Sequence, residues 1–154
     1  MGTTYTDNFE TVAWHRVTDA PGVVDYHLDY RYSVLGYDLK SGQLDMLMRF
    51  SPQGGYCERH SHVAATTTLI LAGEQHLEEI QPDGTRKSIV RRQGAYAIAG
   101  EDGLPHMETG GPDGCTLLLS LKAVDGVLFA VYDADFRRKA QVTIDDFVKR
   151  WESR

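Results

Sequence analysis

Apolar and polar residues alternate with a period of two along most of the chain, and this pattern predicts β-strands. In the segment 43–50, Leu44, Met46, Met48 and Phe50 alternate with Asp45, Leu47 and Arg49, as on a strand with one buried face. A hairpin turn is predicted at 82–85, where the sequence is PDGT. Short strands separated by turn residues are typical of an all-β barrel or sandwich.

The remaining strand predictions follow the same pattern. They cover 66–80 with a bend near Gly73, a pair of strands within 87–99 around Gly94, and the segments 115–121 and 126–133. The end of the chain is the exception, because its apolar residues recur at helical spacing. A helix is predicted over 143–152, with Thr143 as N-cap and one apolar face formed by Ile144, Phe147, Val148 and Trp151.

Composition limits the class of protein. A chain of 154 residues with 42% hydrophobic and 25% charged residues is expected to form one domain, 1–154. The net charge of −6 and the absence of a long basic run argue against a nucleic-acid partner. No apolar run has membrane-spanning length, so we expect no membrane association and a cytoplasmic location. Cys57 and Cys115 are then expected to be free thiols.

His60 and His62 are two residues apart, and side chains at this spacing on a strand point to the same side. Neutral imidazoles on one side of a strand can bind one metal ion. Taken alone, however, the pair favours the simpler interpretation of two hydrogen-bonded or solvated histidines on a strand. Further residues are needed to decide.

The spacing of other residues around the two histidines provides further evidence. Gly54, His60-x-His62, Thr66 and Gly73 follow the first cupin motif, G-x5-H-x-H-x3,4-E-x6-G, except that Thr66 stands in place of the glutamate. Downstream, EDGLPH at 101–106 resembles the second cupin motif, P-x-G-x-x-H, with Glu101 in place of the proline. The resemblance covers residues 42–121. It implies a jelly-roll β-barrel in which His60, His62 and His106 hold a divalent metal.

Because a threonine stands at the glutamate position, the motif does not determine whether a fourth protein side chain binds the metal. The site could use three histidines only, or recruit one of four other side chains, which are Glu58, Gln75, Glu101 and Glu108. Gln75 is expected to face inward with Leu77, and His76 outward. Each of the four candidates could equally be a hydrogen-bonded or solvated polar residue. Cys57 is expected to be a buried or edge thiol rather than a ligand.

The chain combines a single short domain, a strand at 41–54 ahead of the motif, the missing motif glutamate and a G-x-L-F sequence at 126–129. Among cupins, this combination resembles the acetylacetone dioxygenase and 2,4'-dihydroxyacetophenone dioxygenase group. This resemblance implies non-haem Fe(II) and cleavage of a carbon–carbon bond of a small dicarbonyl or hydroxyketone with O2. Glu101 or Glu108 would be the catalytic base, and Gln75 and Tyr96 would contact the substrate. The histidine donors alone also suit Zn, Ni, Mn or Cu.

Two other functions remain open. A non-oxidative Zn or Ni cupin could act as a cyclase or isomerase of the polyketide type, and a non-catalytic cupin could bind a small ligand. The pocket is expected to be lined by Met46, Met48, Ile98 and Leu119. We also expect a homodimer or homotetramer, with the tyrosine-rich stretch 23–37 as an interface strand, an aromatic lid or a monomer surface strand.

Overall fold

The computed structural model describes residues 5–19, 25–100 and 102–154. Within these residues, the regular secondary structure is mostly β-strand, as predicted, with one 3-10 turn at Phe9–Thr11 and one α-helix. The strands are β1 (His15–Thr18), β2 (Asp29–Asp38), β3 (Gln43–Phe50), β4 (His60–His62), β5 (Ala65–Ile80), β6 (Arg86–Arg92), β7 (Tyr96–Ala99), β8 (His106–Lys122), β9 (Val127–Tyr132) and β10 (Arg138–Thr143). The helix, α1, spans Ile144–Glu152.

The two longest strands, β5 and β8, connect the two parts of the curled antiparallel sheet. They pair along most of their lengths, and β5 also pairs with β6 and β7. The other edge of β8 pairs with β3, which continues to β2 and β1. The first residue of β8 meets β4, which continues to β9 and β10. The result is the all-β jelly-roll architecture predicted from the sequence.

A bulge at Gly73 changes which side chains of β5 face the interior. Gly73 has φ +68°, and a Cβ atom there would lie 2.2 Å from the carbonyl oxygen of Gly114, so glycine is required. Before the bulge the inward residues are even-numbered, and after it they are odd-numbered, with Gln75 and Leu77 both buried. Gln75 therefore faces inward and His76 outward, as predicted from the alternation after Gly73.

The core confirms the predicted face of β3, because Leu44, Met46, Met48 and Phe50 are all at most 4% exposed. Tyr30 and Tyr32 of β2 are buried in the same core. The expectation that the tyrosine-rich stretch forms an interface strand, a lid or a surface strand is therefore wrong for these two tyrosines, which fill the barrel. Residues 23 and 24 of that stretch lie outside the described residues.

The C-terminal helix begins where the sequence predicts. Thr143 is the N-cap, and its side-chain oxygen accepts a hydrogen bond of 3.1 Å from the backbone N–H of Asp146. Phe147 and Trp151 pack against Tyr32, and their ring centroids lie 4.7 and 5.7 Å, respectively, from that of Tyr32. The helix therefore covers the side of the core that contains Tyr32. In the described parts of the chain, no helix is both long and apolar enough to cross a membrane.

Three details of the strand predictions need comment. The turn at 82–85 joins β5 to β6, with Gly84 at φ +85°, as predicted. β6 and β7 flank Gly94, but both pair with β5 and not with each other. The sequence did not predict β10, because its residues form no buried face. Cys57 and Cys115 are free and buried, as expected.

Candidate metal centre

The centre is built on two neighbouring strands. His60 and His62 are the first and last residues of β4, and their side chains point to the same side of it. The antiparallel pairing of β4 with β8 places His106 directly opposite His60. The ring centroids of His60 and His106 are 4.4 Å apart, and each lies 5.2 Å from the ring of His62. One nitrogen from each ring lies within 4.8 Å of the others.

Hydrogen bonds to the other nitrogen of each ring determine which nitrogen is free. His60 Nδ1 lies 2.6 Å from the carbonyl oxygen of Glu58, and His106 Nδ1 lies 3.1 Å from that of Leu104. A carbonyl oxygen only accepts, so both rings carry their proton on Nδ1. Their Nε2 lone pairs are then free. This is the arrangement that fixes a metal-binding histidine in proteins.

Burial favours the neutral form of His62 and His106, which is the form that binds metal. His60, His62 and His106 are 5, 8 and 6% exposed. Desolvation, reinforced by the neighbouring His60, lowers the pKa of His106 to about 3 and holds the pKa of His62 well below its usual value. His106 Nε2 is buried without a hydrogen-bond partner among the described residues. An orphaned acceptor facing two other free imidazole nitrogens fits a divalent metal.

The pKa of His106 predicts how the stability of the metal-free protein depends on pH. Between pH 6.5 and about 3 the unfolded chain binds a proton at His106 that the folded chain excludes. The contribution of His106 to the free energy of unfolding is therefore fully present above pH 6.5 and is lost as the pH decreases. At pH 4 the loss from this residue is about 3 kcal/mol. Urea unfolding of metal-free protein at pH 7 and pH 4 measures the loss. His106→Ala should remove this part of the pH dependence, whereas an unchanged pH dependence in the variant would contradict the assignment.

Thr66, at the position of the motif glutamate, supports His62 instead of facing the metal directly. Its hydroxyl donates to the carbonyl oxygen of Ala64 at 2.9 Å, so the same oxygen accepts from Nδ1 of His62, also at 2.9 Å. His62 thereby adopts the same tautomer as the other two histidines. The three rings present their Nε2 atoms together, and the missing glutamate is replaced by an orienting hydroxyl.

We expect Thr66→Val, which preserves the shape of the side chain, to weaken metal binding roughly 10- to 100-fold, because the hydroxyl that orients His62 is lost. The measurement is the dissociation constant for Zn(II), obtained by competition with a chelating dye. Thr67→Val is the matched control, since Thr67 is the next residue on β5 and faces the other side. Equal dissociation constants for the two variants would show that Thr66 does not support the centre.

Glu108 is the carboxylate that the structure places beside the histidines. It is 4% exposed, and its Oε1 lies 3.7 Å from His60 Nε2. Its Oε2 accepts a hydrogen bond from the side-chain amide of Gln75, whose oxygen accepts from Arg91 Nη1 at 3.2 Å. Glu108 belongs to a second possible ligand group, with Cys57 and His60, which shares only His60 with the group of three histidines. It therefore flanks the centre.

Glu58 and Gln75 are less well placed to provide a fourth ligand. Glu58 orients His60 through its backbone carbonyl, while its carboxylate lies 3.5 Å from the thiol of Cys57. Burial raises the pKa of Cys57 well above its usual value, so that its thiol stays protonated. Gln75 is buried and bonded to Glu108. Glu101 lies outside the described residues.

The predicted position of Tyr96 in the pocket wall is wrong. Its side chain is 63% exposed, and that of Ile98 is 68% exposed. Both are on the outer face of β7, and the small side chains of Ala97 and Ala99 face the cavity instead. The alternation was therefore assigned to the wrong side of this four-residue strand, whereas Met46, Met48 and Leu119 do line the interior.

Two cavities meet at the centre, and Glu108 and Leu119 line both. The first is mostly apolar, extends from His60 towards α1, and is lined by side chains that include Tyr30, Tyr32, Met46, Met48, Phe129 and Phe147. The second is more polar and borders His62, His106, Gln75 and Arg91. Phe129, whose ring lies 5.3 Å from that of His60, and Arg91 were not predicted from the sequence as site residues.

The fold defines the structural class. The curled antiparallel barrel and the short C-terminal helix have the form of a cupin jelly roll. An RmlC-like cupin from Ralstonia eutropha JMP134 matches with a TM-score of 0.67 and 12% identity over 98% of this chain and 86% of that protein. The predicted cupin fold is thus confirmed, and the three histidines could hold a metal ion.

Within this class, the structure is similar to acetylacetone dioxygenases. The enzyme from Acinetobacter johnsonii matches with a TM-score of 0.69 and 10% identity over 99% of this chain and 93% of that protein. A protein from Methylibium petroleiphilum PM1, to which the same activity is provisionally ascribed, matches with a TM-score of 0.70 and 13% identity over 98% of this chain and 95% of that protein. No protein-family model and no curated protein sequence matches the chain. At these identities, the structural likeness establishes the fold.

Proposed function

We propose that the protein is a non-haem Fe(II) dioxygenase that cleaves a carbon–carbon bond of a small dicarbonyl or hydroxyketone. The observation that carries the proposal is the group of three buried histidines, each with its proton on Nδ1 and its Nε2 turned towards the others. Similarity to acetylacetone dioxygenase structures over nearly the whole chain supports the choice of reaction.

His60, His62 and His106 would hold the metal. When bound, Fe(II) would serve as a Lewis acid, as a template for a chelating substrate and as the site of O2 reduction. The protein supplies the orientation of the ligands, through Glu58, Thr66 and Leu104, and a buried environment that excludes bulk water.

Glu108 is suited to act as the general base, as the sequence suggested. Its Oε1 lies 3.7 Å from His60 Nε2, and both side chains line the apolar cavity in which a substrate would bind. A proton leaving the substrate carbon or oxygen would pass to Oε1, and the electron pair of the broken bond would stay on the substrate. The apolar cavity beyond His60, with Phe129 and Phe147 in its wall, offers space for the substituents of the ketone.

The test begins with metal analysis of protein purified without O2, followed by O2 uptake with acetylacetone and with 3-hydroxybutan-2-one. Stoichiometric iron, with O2 consumed and carboxylic products formed, is the expected result. His76→Ala is a suitable control, because His76 faces outward and pairs with Glu74 at 2.9 Å. Stoichiometric zinc or nickel without O2 uptake would contradict the dioxygenase.

A non-oxidative Zn or Ni cyclase or isomerase is the second candidate, and Glu108 is the observation that favours it. A buried carboxylate beside a Lewis-acid site can move a proton between two atoms of a ketone without O2. Conversion of a linear polyketone, or racemisation of one enantiomer of 3-hydroxybutan-2-one, without O2 uptake would identify this activity. A ligand that binds tightly and is recovered unchanged would instead indicate a binding protein.

We also propose a homodimer or homotetramer. The exposed side chains of Tyr96 and Ile98, together with Val90 on β6, are candidates for the contact between subunits. Light scattering of the native protein and of Ile98→Ser tests this. The cytoplasmic location remains a prediction from the sequence.

A further inference from the structure

One oxygen of Glu108 is held in place and the other is free. Gln75 is 2% exposed, and its amide group is oriented without ambiguity, because Arg91 can only donate and must therefore face the amide oxygen. The amide N–H group is thus directed at Glu108 Oε2. The chain Arg91, Gln75, Glu108 fixes the rotation of the carboxylate.

The free oxygen, Oε1, has no hydrogen-bond donor among the described residues. His60 Nε2 lies 3.7 Å from Oε1, which is too far for a hydrogen bond. That nitrogen is also an acceptor, because the proton of His60 is on Nδ1. Glu108 lines both cavities, so its carboxylate group borders space that a ligand can enter. A strong acceptor beside the metal position therefore lacks a donor.

We infer that the site selects a chelating ligand with a hydrogen-bond donor beside its metal-binding oxygen, of the α-hydroxyketone type, and that Gln75 and Arg91 are the positioning residues for this selection. A ligand hydroxyl group at this point would donate the missing hydrogen bond to Oε1 of Glu108. The carbonyl oxygen of a diketone would instead place a second acceptor against Oε1. The inference deepens the proposed function and rests on its metal centre.

The test compares two ligands with the same carbon skeleton, 3-hydroxybutan-2-one and butane-2,3-dione, binding to the Zn(II)-loaded protein in calorimetric titrations. The native protein should bind the hydroxyketone about 10-fold or more tightly than the diketone. Glu108→Gln should reverse this preference, because Gln75 would orient the new amide oxygen towards itself and turn the NH2 group towards the ligand.

The positioning residues are tested with a matched pair of charge-removing variants. Arg91→Met should reduce the preference to less than about 3-fold, whereas Arg91→Lys, which keeps a donor, should retain most of it. Arg92→Met is the control, because Arg92 is the neighbouring residue on β6, is 78% exposed and pairs with Glu74. Zinc content and thermal unfolding are measured for every variant, so that loss of folding or metal is recognised.

The outcomes separate this inference from the dioxygenase proposal, because binding to zinc needs no O2 chemistry. Absence of O2 uptake with the predicted binding preference would reject the dioxygenase and support the selection. No preference in the native protein, or the same preference in Glu108→Gln, would overturn the selection. Equal behaviour of Arg91→Met and Arg92→Met would overturn the role of Arg91. If the native protein binds no zinc, the metal centre and the inference both fail.

Discussion

His106→Ala is expected to abolish retention of a divalent metal. His106 supplies one of three converging nitrogens, and its Nε2 has no other partner among the described residues. A metal at about 1,000 times its dissociation constant stabilises the native protein by ~4 kcal/mol. This stabilisation should vanish in the variant. The measurements are metal content after gel filtration and the shift of the thermal unfolding midpoint on adding Zn(II).

The control for this prediction is His76→Ala. It also removes one imidazole, but from the outward side of β5, where the ring bonds to Glu74. It should keep full metal content and the full shift of the unfolding midpoint. Metal bound at full occupancy in His106→Ala would mean that the three-histidine centre is not the metal site.

The fold and the three histidines were accessible from the sequence because each depends on local geometry. Alternation along β3 predicts which residues are buried, and a His-x-His pair on a strand must share a side. The spacing of the motifs added His106, which the pairing of β4 and β8 places opposite His60. Thr143 at the start of the helix is a comparable local signal.

The residues around the histidines were harder to predict. Their positions depend on which of the two alternating sets of side chains on each strand faces inward, and on contacts between distant strands. Tyr96 and Ile98 are larger and more apolar than Ala97, yet the interior beside β7 accommodates only the small residue. Only tertiary packing determines that choice. The support of His62 by Thr66 depends on the backbone path after β4, for which the sequence contains no signal.

Arg91 is a different case, because a signal was present. The predicted turn at 82–85 fixes the register of the β5–β6 hairpin, in which Ile80 pairs with Arg86. Counting outward from this pair places Arg91 opposite Gln75, whose inward position was predicted. The charged partner of the buried amide could therefore have been found before the structure was known.

Glu108→Gln is expected to lower the turnover number for O2 uptake roughly 100- to 10,000-fold, the range typical of losing a general base. The amide cannot take a proton from the substrate, although it keeps the shape of the side chain. Metal affinity should change much less, because the carboxylate lies outside the group of three histidines. The measurement is steady-state O2 uptake with the best substrate found, normalised to the iron content of each preparation.

Glu78→Gln is the matched control, because Glu78 is on β5, is 46% exposed and pairs with Arg86 at 3.0 Å on the outside of the barrel. Its turnover number should equal that of the native protein. If the Glu108→Gln variant turns over at the native rate, Glu108 is not the general base. Loss of iron in Glu108→Gln, with Glu78→Gln unaffected, would instead make Glu108 a fourth metal ligand that swings towards His60 when the metal is bound. The metal content of the two variants therefore decides whether the carboxylate acts on the substrate or on the metal.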